Sequence, residues 1–230
     1  MNGQSELRER YRAVLNTIKQ ASGSRSDVQL LAVSKTFAAA DVMALADLGQ
    51  RGFGENYLQE ALDKIAAIAA ERPDLRLEWH FIGPIQSNKT RSIAEHFDWV
   101  HSVDRLKVAQ RLSEQRPSDL SPLQLCLQVN ISGQASKSGV APHEVLALAR
   151  AVAALPRVRL RGLMSIPEPV PEPEAQRLPH RALYALLAQL NAQGLALDTL
   201  SMGMSADLEA AVLEGATLVR IGTAIFGERG

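Results

Sequence analysis

The chain holds a single cysteine, Cys126, in the apolar stretch LQLCLQV of a 230-residue sequence. One thiol excludes a disulfide framework within the chain and fits a reducing, intracellular setting. At this position it reads as a small core residue rather than a nucleophile. Net charge is absent as well: 25 Lys and Arg balance 25 Asp and Glu, which removes any overall electrostatic case for nucleic acid or an anionic membrane. The N-terminal MNGQSELRERYRAVL lacks the apolar core of a signal peptide. No stretch approaches the continuous apolar length of a membrane span. These absences lead us to expect a soluble cytoplasmic protein that engages neither nucleic acid nor membrane.

Internal repeats and domain boundaries are also lacking, so one domain over 1–230 is expected. The one linker-like stretch is IPEPVPEPEAQ (166–176). Its alternating prolines bar a helix or a central strand. It reads as an extended, mobile loop, with a lid or a proline-rich ligand for another domain as alternatives.

What is present is an alternation of two hydrophobic periods. Short apolar, β-branched runs predict strands over 28–34, 51–55, 75–83, 98–103, 123–131, 158–166, 197–203 and 217–223. Helical spacing predicts helices over 4–20, 41–49, 56–70, 88–97, 104–115, 142–155, 178–194 and 205–215. Strict βα alternation argues for a parallel sheet with helices outside it. Eight strands suit a single (β/α)8 TIM barrel, with a doubly wound open sheet as the competing architecture. The extra N-terminal helix is expected beside the last strand, which has no helix after it.

Barrel sites lie at the C-terminal ends of the strands. Those ends offer Lys35; Glu55, Asn56 and Tyr57; His80, Gly83 and Gln86; His101 and Ser102; Asn130; Met164 and Ser165; Ser201, Met202 and Gly203; and Arg220, Gly222 and Thr223. SMGMSADLEAA sets glycine and serines before a helix, with Ser205 as its N-cap, and GTAIFG adds a second glycine-containing turn. Backbone amides at such turns bind phosphate, or merely cap a helix. A lysine desolvated at a strand end is nucleophilic and forms Schiff bases with aldehydes. Alternatively Lys35 reaches solvent or pairs with Glu55. A phosphorylated aldehyde such as pyridoxal phosphate would satisfy both the amine and the turns. Arg220, inside an apolar strand, either makes an ion pair across the barrel or faces a cofactor's pyridine nitrogen, leaving it unprotonated and the ring a weaker electron sink.

At this point a resemblance carries further. WHFIGPIQSNKTRSI (79–93), LLAVSKT, GFGENYLQEA, VNISGQASKSG, RGLMSIP and SMGMSADLEAA with VRIGTAIFG resemble, in order, segments of the pyridoxal phosphate homeostasis (YggS-like) family. The resemblance implies a fold-type III barrel like the N-terminal domain of alanine racemases. It implies pyridoxal phosphate in Schiff-base linkage to Lys35, with Asn56 and Met164 lining the ring. Ser201, Gly222 and Thr223 are implied at the phosphate and Arg220 at the ring nitrogen, and Gly203, from the glycine turn itself, joins them as a cofactor-binding candidate. TFAAAD after Lys35 and the proline-rich loop depart from the family pattern without touching these contacts. His80 is read either as a cofactor-site residue or as a satisfied barrel histidine. Gln86, Ser87, Asn88 and Lys89 are expected to cap the next helix. Lys137, in a loop after the fifth strand, is either solvated or a recipient of the aldehyde.

Two functions follow. One is a carrier that buffers pyridoxal phosphate and releases it to apoenzymes, without established catalysis and as a monomer. The other is an amino-acid racemase, which needs a second base opposite Lys35. Tyr57 and Tyr184 are available, but no motif places either there, and the sequence runs only seven residues beyond Thr223. A phosphosugar enzyme explains the phosphate turns but leaves Lys35 and Arg220 idle. The carrier is the expected function.

Overall fold

The computed structural model describes residues 2–134 and 138–227. Its eight strands are β1 (Gln29–Val33), β2 (Gly52–Glu55), β3 (Glu78–Phe81), β4 (Trp99–Val103), β5 (Leu123–Gln128), β6 (Val158–Met164), β7 (Thr199–Ser201) and β8 (Leu218–Ile221). They pair in parallel, in chain order, and close on themselves. Closure is explicit in the pairing of Leu31 with Arg220 and Ala32 with Ile221 across β1 and β8. That decides for the barrel over the open sheet.

The helices are α1 (Asn2–Ser22), α2 (Ala39–Asp47), α3 (Leu58–Glu71), α4 (Thr90–His96), α5 (Leu106–Gln115), α6 (Val145–Ala153), α7 (Pro173–Ala192), α8 (Leu208–Leu213) and α9 (Thr223–Phe226). The main core lies between strands and helices. There Phe53, Phe81, Val100, Leu125, Leu127 and Leu163 are fully buried or nearly so. The alternate strand positions face the barrel interior, where Trp99, Cys126 and Met164 form a separate small cluster. Glycines in β2 make room inside: a Cβ on Gly54 would lie 3.1 Å from Leu31 and 3.2 Å from Ile82. Cys126 is buried, and burial pushes its thiol up to about 12, as suits a core residue.

α1 buries Leu7, Tyr11, Val14 and Ile18 and packs on α8 and α9. Its Arg10 Nε donates to the Ile225 carbonyl at 3.0 Å. So α1 covers the barrel beside β8, where the following helix, α9, has four residues.

Several expectations need correction. The proline-rich stretch is shorter than expected, because α7 begins at Pro173, in the first turn where proline lacks no needed hydrogen bond. α7 also contains Pro179. α8 starts at Leu208 with Asp207, not Ser205, at its N-cap; Asp207 Oδ1 accepts the Met204 N–H at 2.7 Å. Ser87–Lys89 form a 3-10 turn leading into α4, and no side chain there caps the helix. β5 ends at Gln128, which leaves Asn130 in the following loop. Lys137 lies outside the described residues.

Candidate functional site

The C-terminal end of β1 delivers Ser34 and then a turn carrying half-buried Lys35. Three neighbours fix that turn. Lys64 of α3 donates to the Ser34 carbonyl at 2.7 Å, and the Thr36 N–H donates to Glu60 Oε1 at 2.5 Å. Thr36 is held at φ 69°, a left-handed conformation that a β-branched residue rarely adopts. Phe37 stacks on Phe226 of α9. Glu55 is not Lys35's partner in an ion pair: its carboxylate meets Lys64 Nζ at 2.6 Å on the helix side of the barrel. Burial raises the Glu55 carboxyl above its usual range, against the opposing pull of Lys64.

The turns after β7 and β8 lie side by side, since the Arg220 N–H donates to the Gly203 carbonyl at 3.0 Å. Gly203 sits at φ 92°, and a Cβ there would come within 2.5 Å of the Ala211 Cβ. Only glycine lets this turn lie flat on α8. A Cβ on Gly222 would lie 3.1 Å from the Val33 carbonyl, so the turn after β8 abuts the end of β1, two residues before Lys35. Asp207 clamps the β7 turn by accepting from Met204, and its other oxygen contacts buried His180 Nε2 of α7 at 2.9 Å. Burial raises Asp207, but His180 and the Met204 amide outweigh it and the carboxyl lies below its usual value.

Arg220 is 4% exposed and points into the barrel. Its guanidinium donates to Ser201 Oγ and to the Ser165 carbonyl, each at 2.8 Å. Burial pulls it down to about 10, with the charge of Asp207 opposing, so it is a cation at neutral pH. No ion pair joins it to Glu55 among the described contacts. The Ser201 hydroxyl is thus turned inward onto Arg220. Buried Met164 borders this interior beside Trp99. Thr223 is exposed at the mouth, at the start of α9. His80 is tied on both ring nitrogens, to Glu78 Oε1 at 2.8 Å and His101 Nε2 at 2.9 Å, and stacks on Trp99. It also lines a cavity of about 380 Å³ at the N-terminal ends of the strands, with Glu78, Gly52 and Leu218. It therefore stands as a satisfied histidine toward the barrel floor.

Among the described residues, Ser165 Oγ, next to Met164, and Asn56 Oδ1, just past β2, are buried at the strand ends without a hydrogen-bond partner, as is Glu55 Oε2 on the helix side of β2. Gly83 seals Asn56 in place, because a Cβ there would lie 2.1 Å from the Asn56 carbonyl oxygen. Buried orphans of this kind cost about 1–3 kcal/mol each, a cost that the polar atoms of a small ligand remove. Such a ligand would lie over the Arg220 cation and beside the glycine turns, so the residues fit an anionic aromatic cofactor. Ser165 was legible only as a strand end, and Lys64, which braces the Lys35 turn from a helix, had no sequence signal. Tyr184 is half exposed and lines a groove with Asp198 and Thr217 at the N-terminal ends of β7 and β8, away from the mouth.

Comparison with known proteins identifies the family. Residues 7–230 match the alanine racemase N-terminal domain family. A pyridoxal phosphate homeostasis protein of Pseudomonas aeruginosa is 65% identical over 211 residues, 91% of this chain and 89% of that one. Its namesake from Escherichia coli K12 is 53% identical over 206 residues, covering 90% and 88%. Among solved structures, PipY of Synechococcus elongatus with pyridoxal phosphate bound superposes with a TM-score of 0.84 at 37% identity, covering 96% of this chain and all of that one. Alanine racemase of Clostridium difficile shares the fold at 15% identity and a TM-score of 0.74, this chain covering 57% of it. The chain belongs to the pyridoxal phosphate homeostasis family, built on the alanine racemase N-terminal domain.

Proposed function

We propose that this protein binds pyridoxal 5'-phosphate and serves as its carrier, with 1–230 acting as one domain. The observation that supports this most is the convergence at one mouth of the Lys35 turn, the abutting Gly222 turn and the buried Arg220 cation beside an orphaned Ser165 hydroxyl. Lys35 is the residue for the aldehyde end. Gly203, Gly222 and Thr223, with the backbone at Ser201, are the residues for the phosphate, and Asn56 and Met164 flank the ring. The bound cofactor supplies an electrophilic aldehyde and an aromatic ring. Arg220, a permanent donor, leaves a facing ring nitrogen unprotonated and so damps catalysis at the substrate carbon. His80 takes no direct place in this set.

The relatives named as homeostasis proteins and the cofactor-bound PipY support the carrier reading over the racemase, to which the likeness is one of fold. Pyridoxal phosphate-dependent apoenzymes are the proposed recipients, and a monomer working in the cytoplasm is the proposed form. The test is to add the cofactor to purified protein, reduce with borohydride and map the label. We expect visible absorption and a label on Lys35, both lost in Lys35→Ala. A protein that stays colourless, or a label elsewhere, overturns the assignment. Deuterium exchange at the α-carbon of alanine at turnover rates would overturn the carrier reading.

A further inference from the structure

A continuous chain of hydrogen bonds runs through the barrel from floor to mouth. Glu78 Oε1 meets His80 Nε2 at 2.8 Å, and His80 Nδ1 meets His101 Nε2 at 2.9 Å. His101 Nδ1 meets Ser201 Oγ at 2.7 Å, and Ser201 Oγ accepts from Arg220 at 2.8 Å. The links between are nearly sealed: His80, His101 and Ser201 are 2%, 0% and 0% exposed. The Glu78 side chain is 50% exposed and opens on the floor cavity. One end thus reaches solvent, and the other reaches the proposed cofactor pocket.

The chemistry of the two ends restricts the links. A carboxylate only accepts and a guanidinium only donates. The hydrogen bond from His80 holds the Glu78 carboxyl below its usual range, so it is an acceptor at neutral pH. His80 Nε2 must then carry a proton toward it. Three arrangements satisfy every link, but the one that puts both protons on His101 places a cation in a buried site beside His80 and Arg220 and is disfavoured, which leaves two. In the first, both histidines are neutral with the proton on Nε2, and the Ser201 hydroxyl donates to His101 Nδ1. In the second, His80 carries both protons, His101 carries its proton on Nδ1, and Ser201 accepts from both His101 and Arg220. The two differ by one proton. A proton arriving on Ser201 Oγ displaces the hydroxyl proton to His101 Nδ1, the Nε2 proton of His101 passes to His80 Nδ1, and the added charge ends beside Glu78. No bond other than O–H and N–H is made or broken.

We propose that Glu78, His80, His101 and Ser201 form a two-state proton relay joining the cofactor pocket to the floor of the barrel. His101 changes tautomer without changing charge. Burial, the nearby His80 and Arg220 all disfavour its cation, which keeps it a conduit. The charged groups around the relay are Asp98, which feels both Glu78 and His80, Arg161 over the Trp99 ring at 4.9 Å, Arg51 at the floor, and Arg220. The relay itself is read from this chain's own residues; only the occupant of its upper end rests on the proposed function.

Nitrogen-15 NMR of histidine-labelled protein, without added cofactor, reads tautomers directly. We expect His101 to switch from Nε2–H to Nδ1–H in the same step that places a proton on His80 Nδ1. Glu78→Gln keeps an acceptor at the floor but removes the charge, and should disfavour the second arrangement at both rings together. A His101 tautomer that does not follow His80 overturns the relay. With cofactor bound, Glu78→Gln should also displace the pH profile of its visible absorption. An unchanged profile in a coloured protein counts against the relay, whereas a colourless protein counts against cofactor binding and leaves the NMR result to stand.

Discussion

Phe37 lies on Phe226 with ring centroids 4.7 Å apart and planes inclined by 22°. The turn that carries Lys35 therefore rests on α9, the helix that opens at Thr223. Residues proposed for opposite ends of the cofactor share one aromatic contact, although nearly two hundred positions separate them in the chain.

Removing that contact should loosen both ends together. Phe226→Ala is expected to cost about 3 kcal/mol in chemical denaturation, at the lower end for a buried phenylalanine. Cofactor affinity should fall with it, read by titration of the visible band. Unchanged affinity would show that the stack supports folding alone.

Lys64 holds three oxygens, on Glu55, the Ser34 carbonyl and Glu60. Lys64→Met leaves Glu55 buried with only the Ser34 hydroxyl at 2.6 Å. The expected loss is about 3–5 kcal/mol, because a buried charge is stranded. The double variant with Glu55→Gln should recover part of it, since the stranded charge is then gone. A double variant no more stable than Lys64→Met would refute this.

Acid should weaken the fold through His101. Its folded pKa lies well below the 6.5 of a free imidazole, so only the unfolded chain takes up that proton as pH falls past 6.5. The contribution is present above that value and lost on acidification, at a slope approaching about 1.4 kcal/mol per pH unit. Denaturation at pH 7.5, 6 and 5 should show the fall, and His101→Gln should flatten it. A slope identical in wild type and variant would assign the loss to other groups.

Gly203→Ala combines a left-handed φ of 92° with a 2.5 Å approach to the Ala211 Cβ. More than about 1 kcal/mol of stability should be lost. Inorganic phosphate should cease to compete with the cofactor. Retained competition would place the phosphate elsewhere.

Much of this architecture was legible because it is written in local periodicity. Strand runs ending in polar residues marked the barrel and its mouth, and every one of the eight strands falls inside a predicted run. What escaped depends on partners distant in sequence. Ser205 and Asp207 are equally good caps by local chemistry, but Asp207 is held by His180 from another helix and takes the position. Prolines at 167, 169, 171 and 173 read as one extended stretch, yet the last opens a helix, which a proline at the first turn allows. His80 sits one residue before the end of β3 and so read as a mouth residue, but its ring is drawn to Glu78 and His101. No spacing rule foretells that two histidines on neighbouring strands share a proton.

Most large apolar side chains of the described residues lie in the ring between strands and helices, while the central axis carries polar groups beside a few apolar ones, Leu31, Trp99, Cys126 and Met164 among them. Cohesion and recognition thus occupy different shells of the same molecule. The axis can be re-tuned, for another ligand or another proton affinity, while the surrounding sleeve keeps the chain folded.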